Sequence, residues 1–242
     1  MNTEINDLAK ILQNSNNIVF FGGAGVSTES GIPDFRSADG LYNSSYSYPP
    51  ETMLSRSFFD THTEEFYRFY KDKMLHPNAK PNKAHLALAE LEKQNKLKAV
   101  ITQNVDGLHT SAGSVNVLEL HGSILRNYCM LCNEAYPLDK IILSLGIPQC
   151  LCGGIIKPDV VLYEEGLDQS VMKKAVRAIT TAEVLIVGGT SLNVYPAAGM
   201  INYFSGENLI LINKSKTAYD KYADIIINEN IGKALFEAVN KF

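Results

Sequence analysis

Short runs of β-branched and other apolar residues recur along the chain, each ending in small or polar side chains, with helically spaced stretches between them. Residues 17–21 run into Gly22-Gly23, 98–101 into Thr102-Gln103-Asn104, and 115–120 into His121-Gly122. Further on, 183–187 end in Gly188-Gly189-Thr190-Ser191 and 208–212 in Asn213-Lys214. A last run at 224–227 precedes a helix starting near Ile231, and apolar positions within 5–12, 84–91 and 170–180 follow helical spacing. Strands alternating with helices at these lengths predict an α/β fold, a Rossmann-like parallel sheet with helices on both faces. Such sheets bind ligands beyond the carboxyl ends of their strands. All five polar clusters fall there, so one cleft is expected.

Two segments break the alternation. Residues 37–81 are rich in Tyr, Phe and charge, and 124–156 hold all four cysteines. Both read as insertions, the first helical and the second zinc-binding, that build a small lobe and leave 1–36, 82–123 and 157–242 to the large domain. Composition narrows the class. With 242 residues, 45% hydrophobic and 20% charged, the chain can bury a sizeable core and is neither disordered nor fibrous. A net charge of −4 supplies no global basic field, so direct nucleic-acid binding is not expected. No basic leader precedes an apolar one, and no run of about 18 apolar residues occurs. The expectation is a protein without membrane association, working in the cytoplasm.

Gly22-Gly23-Ala24-Gly25-Val26-Ser27 has the small residues that let backbone approach a pyrophosphate at a helix N-terminus. The dinucleotide fingerprint is incomplete, because Thr28 stands at its third glycine and no acidic residue closes a second strand about 20 positions on. That disfavours an ordinary dehydrogenase and leaves a bare tight turn as the plain reading. Directly after it, Pro33-Asp34-Phe35-Arg36 puts a ring able to cover a planar group beside a cation able to pair with phosphate; a Pro-Asp turn explains the same residues without a ligand. At the next strand ends, Gln103, Asn104 and Asp106 offer amides and a carboxylate, and His121 an imidazole titrating near neutrality, a candidate general base.

The cysteines form two pairs, Cys129-x2-Cys132 and Cys150-x-Cys152, with 17 residues between them. In a reducing compartment such a cluster reads as metal ligands before disulfides. Four thiolates would close a tetrahedral zinc site and leave no open position, so the metal would be structural. Only Leu151 separates the second pair, which demands a tight turn; free thiols are the other reading.

Taken in order, GAGVSTESGIPDFR (23–36), TQNVDGLH (102–109), ELHGS (119–123), the cysteine pairs, KPDVVLYEE (157–165), GTSLNVYPAA (189–198) and Ile212-Asn213 resemble the sirtuins, NAD-dependent protein lysine deacylases, over nearly the whole chain. The resemblance implies a co-substrate NAD, one structural zinc ion, and acetylated protein or peptide lysines as substrates of a monomer. It implies that Ala24, Thr28, Phe35 and Arg36 line the pyrophosphate and nicotinamide side of the pocket. Ile32, Val105 and Asp106 would receive the carboxamide, Gln103 and Asn104 a ribose, and Thr190, Ser191, Asn213 and Ile231 the ribose and adenine. His121 would take a proton from a ribose hydroxyl, with Asn104 beside it in catalysis. Val160, Val161, Leu162 and Tyr163 would pair with the peptide. The implied products are nicotinamide, O-acetyl-ADP-ribose and deacetylated lysine.

Two departures from the sirtuin pattern carry expectations of their own. Glu164 replaces a glycine usual in the peptide segment, and an added carboxylate there is expected to favour basic sequences. Tyr70 stands where sirtuins acting on acidic acyl groups carry an arginine three residues after a tyrosine, here Tyr67, so acetyl or longer apolar groups are expected. Two rival functions remain: an NAD-dependent mono-ADP-ribosyltransferase, and a non-catalytic NAD-sensing module around a zinc ribbon. His121 and Asn104 argue against the second.

Overall fold

The structure is a computed structural model that describes residues 3–35 and 46–242. Each of the six apolar runs forms a strand: β1 (Ile18–Gly22), β2 (Leu97–Thr102), β3 (Val117–Glu119), β7 (Val184–Gly188), β8 (Asn208–Ile212) and β9 (Ile225–Ile227). They join in one parallel sheet of order β3-β2-β1-β7-β8-β9. Strand residues alternate in direction. In β1, Ile18 and Phe20 face one apolar layer while Val19 and Phe21 face the other, and every residue of the strand is buried. Burying such side chains, at about 1.5–3 kcal/mol each, requires helices on both sides. Helices α1 (Thr3–Asn14), α5 (Lys83–Lys93) and α9 (Ile231–Val239) cover the first face, and α8 (Gln169–Thr181) with the turn Ala197–Tyr203 the second. Local signals set the helix starts. Asp168 caps α8 by accepting from Ser170 and Val171 N–H, and Asn82 with His85 forms a capping box on α5.

The two insertions pack on each other. From the first come α2 (Pro50–Met53), α3 (Arg56–Thr61) and α4 (Thr63–Lys73). A three-stranded antiparallel sheet of order β5-β4-β6 joins β4 (Gly122–Cys129), β5 (Ala135–Pro137) and β6 (Ile156–Val160), with the short helix α7 (Leu138–Ile142) after β5. Phe58, Phe59, Phe66, Tyr67, Phe69 and Tyr70 form their common aromatic core with Ile124, Ile156 and Val160. Strand β6 pairs with β4 and so with the small sheet, although its residues from 157 onward are expected in the large domain. Its pattern, buried at Ile156, Pro158 and Val160 only, is that of an antiparallel strand with one face outward.

Chain order reverses between β1 and β7, so their carboxyl ends, Gly22 and Gly188, open a crevice. The loops leaving them lie back to back. Gly25 N–H donates to Gly189 O at 2.8 Å, and a Cβ at Gly25 would come within 2.8 Å of Gly189 Cα, so larger residues would push the first loop off the second.

Candidate active site

A cleft of about 1110 Å³ runs along these strand ends and under the small lobe, above the roughly 300–1,000 Å³ of most small-molecule sites. Ala24, Thr28, Ile32 and Phe35 line it from the first loop, Gln103, Asn104, Val105 and Asp106 from the loop after β2, and His121 from the turn after β3. Thr190 and Ser191 follow β7, Asn213 follows β8, and Ile231 opens α9. Arg36 lies outside the described residues. The remaining positions expected to hold the dinucleotide thus meet in one cavity although they span the chain.

Hydrogen bonds tie the strand ends together. His121 Nδ1 donates to Gln103 O (3.0 Å), Gln103 Nε2 to Thr190 Oγ1 (3.1 Å), and Thr190 N–H to Asn213 Oδ1 (3.1 Å). Because a carbonyl only accepts, Nδ1 carries the proton and Nε2 is the basic nitrogen. Burial lowers the His121 pKa from its ordinary 6.5, only partly opposed by the Gln103 bond, so the ring is neutral at neutral pH. Asn213 Nδ2 and Asn230 Oδ1 are buried polar atoms without partners among the described residues, and both side chains line the cleft. An unmatched donor and an unmatched acceptor at the end beside β8 suit a ribose or adenine edge, so the cleft fits a dinucleotide.

Sequence reasoning missed Ser27. Its hydroxyl, on a residue 1% exposed, donates to Asp106 Oδ2 at 2.6 Å and accepts from Asn104 Nδ2 at 3.1 Å. The other Asp106 oxygen accepts from Leu108 N–H at 2.9 Å. One serine therefore orients two polar side chains of the loop after β2, Asn104 and Asp106. The only signal was its place in the glycine turn, where it read as a small residue.

Behind this loop lie His85 and His109, stacked edge to face at 4.7 Å and 0% and 2% exposed. Burial pushes His85 down to about 4, against the pull of Asp106, and His109 down to about 3, with His85 adding to the effect. Both stay neutral in the fold, whereas the unfolded chain protonates them near 6.5. Their contribution to stability is full above pH 6.5 and is lost as pH falls through 6.5 toward those lower values. Between pH 7 and 5 urea unfolding should show a loss on the order of 2 kcal/mol for each imidazole. In His109→Phe, facing Phe20, the loss should be about half as large; an equal loss in the variant would assign the acid sensitivity elsewhere.

The four cysteine sulfurs lie within 4.8 Å of one another, with pairs at 3.4 and 3.6 Å. A tetrahedron with zinc–sulfur bonds of about 2.3 Å has edges of about 3.8 Å, so the donor set fits a closed zinc site. The one-residue spacing is met by a tight turn. Gly153 N–H donates to Cys150 O, Cys150 N–H to Gly154 O, and Gly153 adopts φ +87°. Tyr136 hydroxyl donates to Cys150 Sγ at 3.1 Å, which orients that ligand.

Val160, Val161, Leu162 and Tyr163 all line the cleft, but only Ile156–Val160 is regular strand; beyond it Tyr163 makes an isolated bridge to Ser55. The Glu164 carboxylate is engaged by Ser57, accepting from the N–H at 2.8 Å and the hydroxyl at 2.9 Å. Tyr67 and Tyr70 are both fully buried in the aromatic core. Tyr67 hydroxyl donates to Ile156 O, while Tyr70 hydroxyl has no partner among the described residues.

The Sir2 family profile matches residues 23–196. An NAD-dependent protein deacetylase of Clostridium acetobutylicum is 62% identical over 236 residues, 96% of each chain. A solved structure of Sir2 with a p53 peptide and NAD+ superposes with a TM-score of 0.86 at 37% identity, covering 98% of both chains. A Sir2 histidine variant with deacetylated p53 peptide and 3′-O-acetyl-ADP-ribose does so with a TM-score of 0.89 at 37% identity, covering 97% of both. With the cleft at the switch point of its sheet, the cysteine cluster in its second insertion and these matches along its length, the chain belongs to the Sir2 family.

Proposed function

We propose that the chain is an NAD-dependent protein lysine deacetylase yielding nicotinamide, O-acetyl-ADP-ribose and deacetylated lysine. The observation that carries this reading is His121, neutral and held by Gln103 O at the wall of the strand-end cleft, with its basic nitrogen left for a ribose hydroxyl. Bound NAD supplies a nicotinamide–ribose bond whose cleavage makes the sugar electrophilic. The chain's residues then have separate tasks. The Gln103–Thr190–Asn213 chain fixes one end of the ligand, and Ser27 aligns Asn104 and Asp106 on the other. Because the acyl oxygen is a weak nucleophile, held geometry is the main contribution of the cleft. Residues Val160–Tyr163 receive the extended peptide by strand pairing. The same reading has the protein act as a monomer in the cytoplasm; no helix among the described residues is long and apolar enough to cross a membrane.

Mass spectrometry after incubation with NAD and an acetyl-lysine peptide tests the reading. Free O-acetyl-ADP-ribose with loss of the peptide's acetyl mass is expected, and ADP-ribose added covalently to protein would establish the transferase instead. Acyl range is a second test. Tyr70, a neutral phenol buried against the Phe66 ring at 5.5 Å, stands at the sequence position where sirtuins acting on acidic acyl groups carry an arginine. Acetyl-lysine peptides should turn over at least about tenfold faster than succinyl-lysine ones, since an unpaired buried carboxylate is costly; comparable rates would overturn this assignment.

A further inference from the structure

The segment proposed to receive the peptide is fastened on several sides by its own neighbours. Val161 N–H donates to His121 O at 2.9 Å, Tyr163 N–H to Leu54 O at 3.0 Å, and Arg56 N–H to Tyr163 O at 3.0 Å. Two adjacent carboxylates complete the fastening in different directions. Glu165 accepts from Lys157 Nζ at 3.1 Å, from Leu162 N–H at 2.8 Å and from Arg56 at 3.1 Å, tying the segment to β6 and to α3. Glu164 has φ +76°, a left-handed conformation that side-chain-bearing residues adopt rarely and at a cost. In that conformation its carboxylate takes both the N–H and the hydroxyl of Ser57, in the first turn of α3. Ser55 already serves that turn by accepting from Phe58 N–H, so Glu164 satisfies a second donor that would otherwise lack a helical partner.

A strained backbone at a position that glycine would occupy without strain, combined with a two-point clamp that only a longer acceptor can make, is a costly arrangement with a local consequence. We propose that Glu164 is a positioning residue for the peptide substrate: clamped on Ser57, it fixes residues 160–165 relative to α3 in the conformation with which the acyl-lysine peptide pairs. This rests on the reading of Val160–Tyr163 as the peptide segment. Glu164 acts through the segment, by the hold of its two carboxylate oxygens on Ser57 and not by contact with charges of the peptide.

Three variants separate the clamp from backbone strain. Glu164→Gly relieves the left-handed strain and removes the clamp, Glu164→Gln keeps an acceptor of the same length, and Ser57→Ala removes one of the two donors. For E164G the peptide KM should rise about three- to tenfold, as for loss of a charged hydrogen-bonding clamp that is partly open to solvent, with kcat and the NAD KM within about twofold. E164Q should fall between E164G and the parent, with the same ratio of rates on lysine-flanked and glutamate-flanked peptides as the parent. S57A should raise the peptide KM less than E164G, and adding S57A to E164G should add almost nothing, because both remove one interaction.

A peptide KM in E164G equal to or below the parent's would show that only backbone conformation matters and overturn the proposal. So would equal rises in peptide and NAD KM, which report general damage to the cleft, or effects of the two substitutions that multiply. Anisotropy of a fluorescent acetyl-lysine peptide measures binding without turnover and keeps the two readings apart. If the parent binds peptide but does not deacetylate it, the functional reading fails while E164G still tests the clamp. If the parent deacetylates and E164G binds peptide equally well, the clamp fails alone.

Discussion

Replacing His121 by alanine is expected to lower deacetylation of an acetyl-lysine peptide by about a hundred- to ten-thousandfold, the range contributed by a positioned general base. The size follows from how little else near that point can take a proton. His121 has its tautomer set by Gln103 O, and burial keeps it neutral. His85 and His109 lie buried behind the Asp106 loop, pushed to about 4 and about 3, and are far poorer bases. Asp106 is occupied on both oxygens by Ser27 and Leu108. NAD affinity should change only a few-fold, because the side chains joining Gln103, Thr190 and Asn213 do not pass through the imidazole. The pH profile gives the sign. A base fails as pH falls through its pKa, and burial lowers that of His121, so the acid limb of the parent should lie below the ordinary histidine midpoint of about 6.5. Equal rates for the parent and His121→Ala would remove His121 from the base's role, and a limb above 6.5 would contradict the burial argument.

The sheet was readable because its signal is local and repeated. Residues 209–212 alternate between two buried faces, and the polar cluster after each run marks a strand's carboxyl end whatever the tertiary details. The strand-end clusters that hold Gln103, Thr190 and Asn213 could be named for the same reason, while their assignment to the dinucleotide came from the sirtuin resemblance. What stayed illegible depends on partners distant in sequence. Ser27 meets Asp106 across 79 positions, and Glu164 meets Ser57 across 107. Neither pairing leaves a periodic trace, so Ser27 passed for a turn residue and Glu164 for a free surface charge. Strand β6 misled for a related reason. Residues 157–165 resemble the peptide-pairing segment of the sirtuins throughout, but the ladder to β4 ends at Val160, where side-chain and loop hydrogen bonds take over the backbone.

The cysteine cluster raises the question of how much of the small lobe depends on metal, and its packing predicts a divided answer. The helical part has an aromatic core of its own: Phe59, Phe66 and Tyr67 make edge-to-face contacts at 4.9 to 6.0 Å with little exposure. Residues 130–155 have no comparable core. Leu131, Leu143, Leu145 and Leu151 are all more than two-thirds exposed, and Ile141 is the fully buried aliphatic side chain of that stretch. Apparent binding energies of structural zinc are about 10–16 kcal/mol, which a ribbon with so few buried side chains cannot replace. Cys129→Ser combined with Cys132→Ser should therefore abolish bound zinc and open residues 130–155 to proteolysis, while urea unfolding of the parallel-sheet domain changes little. Activity should nevertheless fall at least about tenfold, because the ribbon continues into β4, which follows His121 directly, and into β6, which ends at Val160. Metal content by plasma emission, a timed digest and the deacetylation rate read these effects separately. A variant that loses zinc but keeps both its resistance to protease and its activity would show that the thiol cluster folds without a metal.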